Sequence, residues 1–147
     1  MGNINSYLTF GGNCRQAMQF YKSCLGGELI FQTVGASSIA DEMPLKMKKF
    51  ILHSTLTNDN MILMATDMVS ANGLKKGNAV SLMLNCNNEQ ELKLFYKKLS
   101  RGGQQTHPPE DTFWGAVFGG LTDKFGIHWL LNCNKQATQI NHQKSIN

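Results

Sequence analysis

No run of ~18 consecutive apolar residues occurs in the chain, so no membrane-crossing helix and no membrane partner are expected. The opening residues MGNINSY lack a basic stretch followed by an apolar one, so no secretory leader is expected. Charge is sparse: 14 Lys and Arg stand against 10 Asp and Glu, a net of +4. The lysines fall in short groups (Lys46, Lys48, Lys49; Lys75, Lys76; Lys97, Lys98) with no aromatics between them. A nucleic-acid groove needs a denser basic stripe with stacking rings, so no nucleic-acid partner is expected. The four cysteines form no C-x-x-C spacing, which excludes a zinc ribbon and a redox dithiol. Cys14 and Cys24 share one predicted helix, ~15 Å apart at 1.5 Å rise per residue. That is beyond the ~7 Å reach of a disulfide. Reduced thiols and a cytoplasmic location follow as expectations.

What is present is a repeat. The stretch 7–27, YLTFGGNCRQAMQFYKSCLGG, is echoed by 82–103, LMLNCNNEQELKLFYKKLSRGG. Each begins as a strand, turns on small polar residues and enters a helix containing Phe-Tyr-Lys. Those tripeptides, 20–22 and 95–97, are 75 positions apart. Each helix ends at Gly-Gly, a stop that accepts left-handed backbone. Asn13 is the candidate cap of the first helix, and Asn87 or Asn88 of the second, with Glu89 and Glu91 favouring its first turn.

After the first helix, Glu28–Gly35, Phe50–Thr57 and Met61–Thr66 read as strands. After the second, Gln104–His107, Trp114–Thr122 and Ile127–Asn132 do. Leu56-Thr57 and Leu121-Thr122 each precede a polar turn of the kind that joins antiparallel strands. Asp67 and Asp123 read as turn residues. The chain is thus expected to be one α+β domain over 1–134, built of two tandem βαβββ units, about 3–69 and 79–134. Ser70–Asn78 links them and a polar, fraying tail covers 135–147. A helix covers one face of each sheet, so two units side by side make a half-barrel mixed sheet with a concave cavity for a ligand.

The ordered set Phe10-Gly-Gly-Asn-Cys-Arg-Gln-Ala, Phe20-Tyr21, Gly26-Gly27, Leu63-Met-Ala-Thr-Asp67, Gly102-Gly103, Asp111-Thr-Phe-Trp-Gly115 and Asp123-Lys-Phe-Gly-Ile-His-Trp129 resembles one known group. This is the vicinal oxygen chelate superfamily of glyoxalases, bleomycin resistance proteins and dioxygenases, in its PhnB-like branch, also described as demethylubiquinone methyltransferase-like. The resemblance covers about residues 3–134. The methyltransferase label is not carried over, because no glycine-rich loop follows a first strand with an acidic residue at the end of the next.

The resemblance implies a divalent metal held by His or Glu from the first and last strands of each unit. Aligned on the helices, those positions fall near Asn5, Val80, Met64 and Leu130, or with one residue of slip at Ser6, Ser81, Leu63 and Trp129. None suits a hard divalent ion, which needs about three oxygen or imidazole ligands. No metal and no cofactor are therefore expected.

Alternation along a strand then sorts the candidate ligand-binding residues. With Leu130 in the cavity, His128 and Asn132 face it, while Ile127, Trp129 and Leu131 face the helix. Asn5, Tyr7 and Thr9 face the cavity, and Leu8 and Phe10 the helix. The candidate site is Asn5, Tyr7, Thr9, His53, Met64, Trp114, His128 and Leu130. His53 has Phe118 as its repeat counterpart, which points to filling space. His107, in a loop before Pro108-Pro109, and His142, in the tail, are expected to be exposed. Ala36–Lys49 is a loop that could cover a cavity.

The leading expectation is a PhnB-like protein that binds an unidentified small, partly apolar molecule with the usual metal site lost. The alternative is a metal-dependent lyase, isomerase or dioxygenase, for which His53, His128 and Glu110 or Asp111 would have to converge. Sequestration of a cationic drug ranks low, since an acidic binder is expected and the pI is near 8.9. Superfamily members commonly pair, which implies a homodimer, and pairing also covers exposed strand edges.

Overall fold

The computed structural model describes residues 2–135. The expectations for the rest of the tail, His142 included, lie outside that range. The chain divides into two compact units between Lys75 and Lys76. The first contains β1 (Ser6–Thr9), α1 (Cys14–Leu25), β2 (Glu28–Thr33), β3 (Ile51–Asn58) and β4 (Met61–Thr66). The second contains β5 (Leu82–Asn85), α2 (Glu89–Leu99), β6 (Gln104–Asp111), β7 (Ala116–Thr122) and β8 (His128–Asn134). Each is a four-stranded mixed sheet, ordered β1-β4-β3-β2 and β5-β8-β7-β6. β1–β4 and β5–β8 pair parallel, and the other neighbours antiparallel. This is the expected tandem βαβββ, α+β architecture.

Each helix buries one stripe against its sheet. In α1 this is Cys14, Ala17, Met18, Tyr21, Cys24 and Leu25, at the 3.6-residue period of a one-sided helix. The opposing sheet face supplies Ser54, Leu56, Leu63 and Ala65. In the second unit Leu92, Tyr96 and Leu99 meet Val117, Leu121, Trp129 and Leu131. The Tyr96 hydroxyl donates to the carbonyls of Gly120 (2.9 Å) and His107 (3.2 Å), so its polar end is satisfied under the helix.

Several boundaries differ from the sequence-based expectation. His107 is not in a loop: β6 runs through Pro108-Pro109 to Asp111. Proline donates no ladder hydrogen bond, but β6 is an edge strand, and its register shifts on both sides of His107. Trp114 does not start a strand. It lies in the turn that precedes β7, where Thr112 pairs with Ala116. The Asn13 side chain does not cap α1. Asp67 does that from the end of β4, its Oδ1 accepting the N–H groups of Gly12 (3.0 Å) and Cys14 (2.9 Å). Its Oδ2 accepts from Ile51 N–H at 2.8 Å. Asn88 caps α2 as expected, accepting from Glu91 N–H, while the Glu91 carboxylate reaches back to Asn87 N–H.

The repeat is tighter than the helices suggest. Leu63 faces Ser6 and Trp129 faces Leu82, so the first strands are equivalent 76 positions apart, not 75. Asn5 therefore corresponds to Ser81, not Val80. The second glycine of each pair is equivalent too. A Cβ on Gly27 would overlap the Thr57 carbonyl, and one on Gly103 the Thr122 carbonyl.

Candidate functional site

The site begins with the sheet faces that no helix of their own unit covers. In the first unit, cross-strand pairing lines up Ile30, Thr55, Met64 and Tyr7 in one row. Tyr7 is 52% exposed and Ile30 62%. His53 lies one alternation from Thr55 and is fixed from both ends. Its Nδ1 meets the Tyr7 hydroxyl at 3.3 Å and its Nε2 meets Thr55 Oγ1 at 3.2 Å. The Tyr7 and His53 rings are 5.7 Å apart. Thr9, partly buried, lines an open cavity of about 490 Å³ with Met68, Val69, Leu74 and Lys75. Asn5 is exposed, just before β1. Tyr7, His53 and Met64 are thus brought together, with Thr55 as a member that sequence analysis missed. Its signal was present: Thr55 is two residues from His53 on the same strand and shares its face.

In the second unit the equivalent row is Met83, Leu130, Gly120 and His107. Met83 is 53% exposed. Beside it, Trp114 (54% exposed) packs edge-on to Phe118 at 6.3 Å and to Phe113 at 5.0 Å. Phe118 also meets the His107 ring at 6.2 Å. Met83 and Phe113 escaped the sequence analysis because isolated apolar residues carry no chemical signature there.

His128 opens β8. Its Nε2 lies 3.2 Å from the carbonyl of Gly77, which can only accept, so Nε2 carries the proton. Nδ1, 2.9 Å from Thr122 Oγ1, then accepts that hydroxyl's hydrogen. Both ring nitrogens are spoken for. Next to it Trp129 is 3% exposed and points the other way, its Nε1–H donating to Asp123 Oδ2 at 2.8 Å. Asp123 Oδ1 accepts from the N–H groups of Phe125 and Ile127. Asp67 and Asp123 are therefore more than turn residues. Both are 3% exposed and satisfied by three N–H donors each.

The last-strand positions expected for a metal carry Met64 and Leu130, a thioether and a hydrocarbon paired across the strands with Tyr7 and Met83, and the first-strand positions carry Asn5 and Val80, or Ser6 and Ser81. Among the described residues no group of three or more His, Cys, Asp and Glu could hold a metal ion. The alternative set is otherwise engaged. His53 is held by Tyr7 and Thr55, and His128 by Thr122 and Gly77. Glu110 pairs with His107 at 2.9 Å, and Asp111 with Lys135 at 2.8 Å, a contact that holds the Asp111 carboxyl below its ordinary range.

A family model described as 3-demethylubiquinone-9 3-methyltransferase matches residues 2–132. The solved structure of protein PA1353 from Pseudomonas aeruginosa is 35% identical, covering 91% of this chain and 98% of its own, with a TM-score of 0.81. Protein YjdN of Escherichia coli K12 is 28% identical over 90% of this chain and 96% of its own. A Bacillus cereus PhnB protein, titled a putative 3-demethylubiquinone-9 3-methyltransferase, is 27% identical over 90% of this chain and 99% of its own, with a TM-score of 0.70. At 12–17% identity, structures of glyoxalase-related and glyoxalase/bleomycin resistance/dioxygenase proteins share the fold alone, with TM-scores of 0.57 and 0.61. The methyltransferase wording is the description of the family. The chain belongs to the family described as 3-demethylubiquinone-9 3-methyltransferase, and it shares its fold with glyoxalase-related proteins.

Proposed function

We propose that this protein binds a small, partly apolar molecule on its helix-free sheet faces, without a hard metal ion. The observation that carries the proposal is the row Ile30–Thr55–Met64–Tyr7, with His53 held between the Tyr7 and Thr55 hydroxyls. Apolar side chains that stay half exposed beside a few fixed polar groups are the composition of a ligand site, in which the polar groups set orientation. Thr9 and Asn5 extend the face in the first unit. Trp114, Leu130 and His128 form its counterpart in the second.

The four free thiols fit a reducing compartment, and we place the protein in the cytoplasm. Among the described residues no helix is long and apolar enough to cross a membrane. The exposed Leu45 and Phe113 side chains favour a homodimer that covers them.

Tryptophan fluorescence tests the binding proposal. Trp114 is half exposed and Trp129 buried, so a ligand on the second unit's open face changes the Trp114 signal. Titration with small aromatic and short-chain carbonyl compounds is expected to give a saturable change that disappears in Trp114→Phe. A second titration by calorimetry follows ligands confined to the first unit. Absence of saturable binding in both assays overturns the proposal.

A further inference from the structure

The two units differ at one equivalent place. In the first unit the parallel ladder continues past β1 when Phe10 N–H donates to the Thr66 carbonyl at 2.9 Å, and Asp67 follows to cap α1. In the second, Cys86 N–H donates to the Asn132 carbonyl at 2.7 Å, one step beyond the matched pair Asn85 and Asn132. The same ladder therefore brings Cys86 beside Cys133. With α2 capped by its own Asn88, the position equivalent to Asp67 is released from capping and carries a thiol.

We propose that Cys86 and Cys133 form a two-coordinate binding site for a soft monovalent metal ion of the copper(I) type. Adjacent strands lie ~4.8 Å apart. That spacing puts the two side chains within reach of a single bridging ion. Thiolates select soft ions of this class. A tetrahedral zinc site would need further ligands that the described residues do not group there. Cys133 is 5% exposed and Cys86 intermediate, so the pair has one side open for entry and one shielded from water. Burial pushes the Cys86 thiol up to about 12, with Glu91 and Cys133 adding to the rise, so Cys86 enters the reaction protonated at neutral pH. Binding then replaces two S–H bonds by two metal–sulfur bonds and releases two protons. No electrons are transferred and no oxidant is needed.

The test is anaerobic titration of the reduced full chain with silver(I), as the redox-inert probe, read by native mass and proton release. One tightly bound ion and two protons per chain are expected. Cys86→Ala and Cys133→Ala should each weaken that ion at least a hundredfold. Cys14→Ala/Cys24→Ala, which removes the two thiols of the first unit, should retain it. Circular dichroism identifies any variant that has failed to fold; the exposed-side variant Cys86→Ala then decides. Failure to bind silver(I), or tight binding that survives Cys86→Ala, overturns the proposal.

Discussion

The Tyr7 hydroxyl stands 3.3 Å from His53 Nδ1, linking a residue of β1 to one of β3 across the intervening β4. This contact is what makes the first unit's open face a polar-anchored surface and not simply an apolar one. Tyr7→Phe removes the hydroxyl and keeps the ring. A hydrogen bond of this kind contributes about 1 kcal/mol, so affinity for a ligand that uses the hydroxyl should fall about fivefold to tenfold. Calorimetry measures it, and urea unfolding should lose no more than that same ~1 kcal/mol.

Asp67 is predicted to be a principal polar support of the first unit. Its carboxylate satisfies three N–H groups from two chain segments, Gly12 and Cys14 at the start of α1 and Ile51 at the start of β3, while being almost fully buried. Asp67→Ala strands those donors and should cost about 3 kcal/mol in urea unfolding. The exposed variant Asp41→Ala serves as the control. A cost below about 1 kcal/mol would show that water replaces the carboxylate freely.

Stability should fall at alkaline pH. Burial raises the Cys14 thiol from 9.0 to about 11 and the Cys86 thiol to about 12. Below pH 9 both thiols are protonated folded and unfolded, and their contribution is fully present. As pH rises beyond 9 the unfolded thiols ionise first, the unfolded state binds fewer protons, and stability declines. Urea midpoints measured between pH 8 and 10.5 should drop more steeply in wild type than in Cys14→Ala/Cys86→Ala. Parallel slopes would contradict the assignment.

Gly103→Ala places a methyl group against the Thr122 carbonyl and the Asp123 backbone. Since backbone and not a flexible side chain must yield, a loss of about 2 kcal/mol is expected in thermal or urea unfolding. Gly73→Ala, where a Cβ meets open space, tests whether positive φ alone is costly.

The units, their strands and the helix-covered faces were legible in the sequence because period-2 and period-3.6 patterns record burial directly. Phe10, Leu56, Leu121 and Trp129 are all core. The slip from Ser81 to Val80 has a physical origin. Phe-Tyr-Lys aligns the helices at 75, whereas both sheets align at 76. A helix can shift its covered stripe by one residue and still pack, but a strand shifted by one turns every side chain over. The cap at Asp67 was hidden because it lies 53 positions from Cys14, and no local pattern announces a long-range capping bond. Trp114 was drawn into a strand by its apolar character, although the Thr112–Ala116 turn sets its place. The engagement of His128 with Thr122 and Gly77 depends on coordinates that periodicity does not supply.

The most direct test of the account is native mass spectrometry of untagged protein never exposed to a chelator, with the best organic ligand from the titrations added. The account predicts one ligand mass per chain, weakened by Tyr7→Phe or lost with Trp114→Phe, and no divalent metal adduct. A stoichiometric zinc, nickel, manganese or iron ion that is required for ligand binding would contradict it.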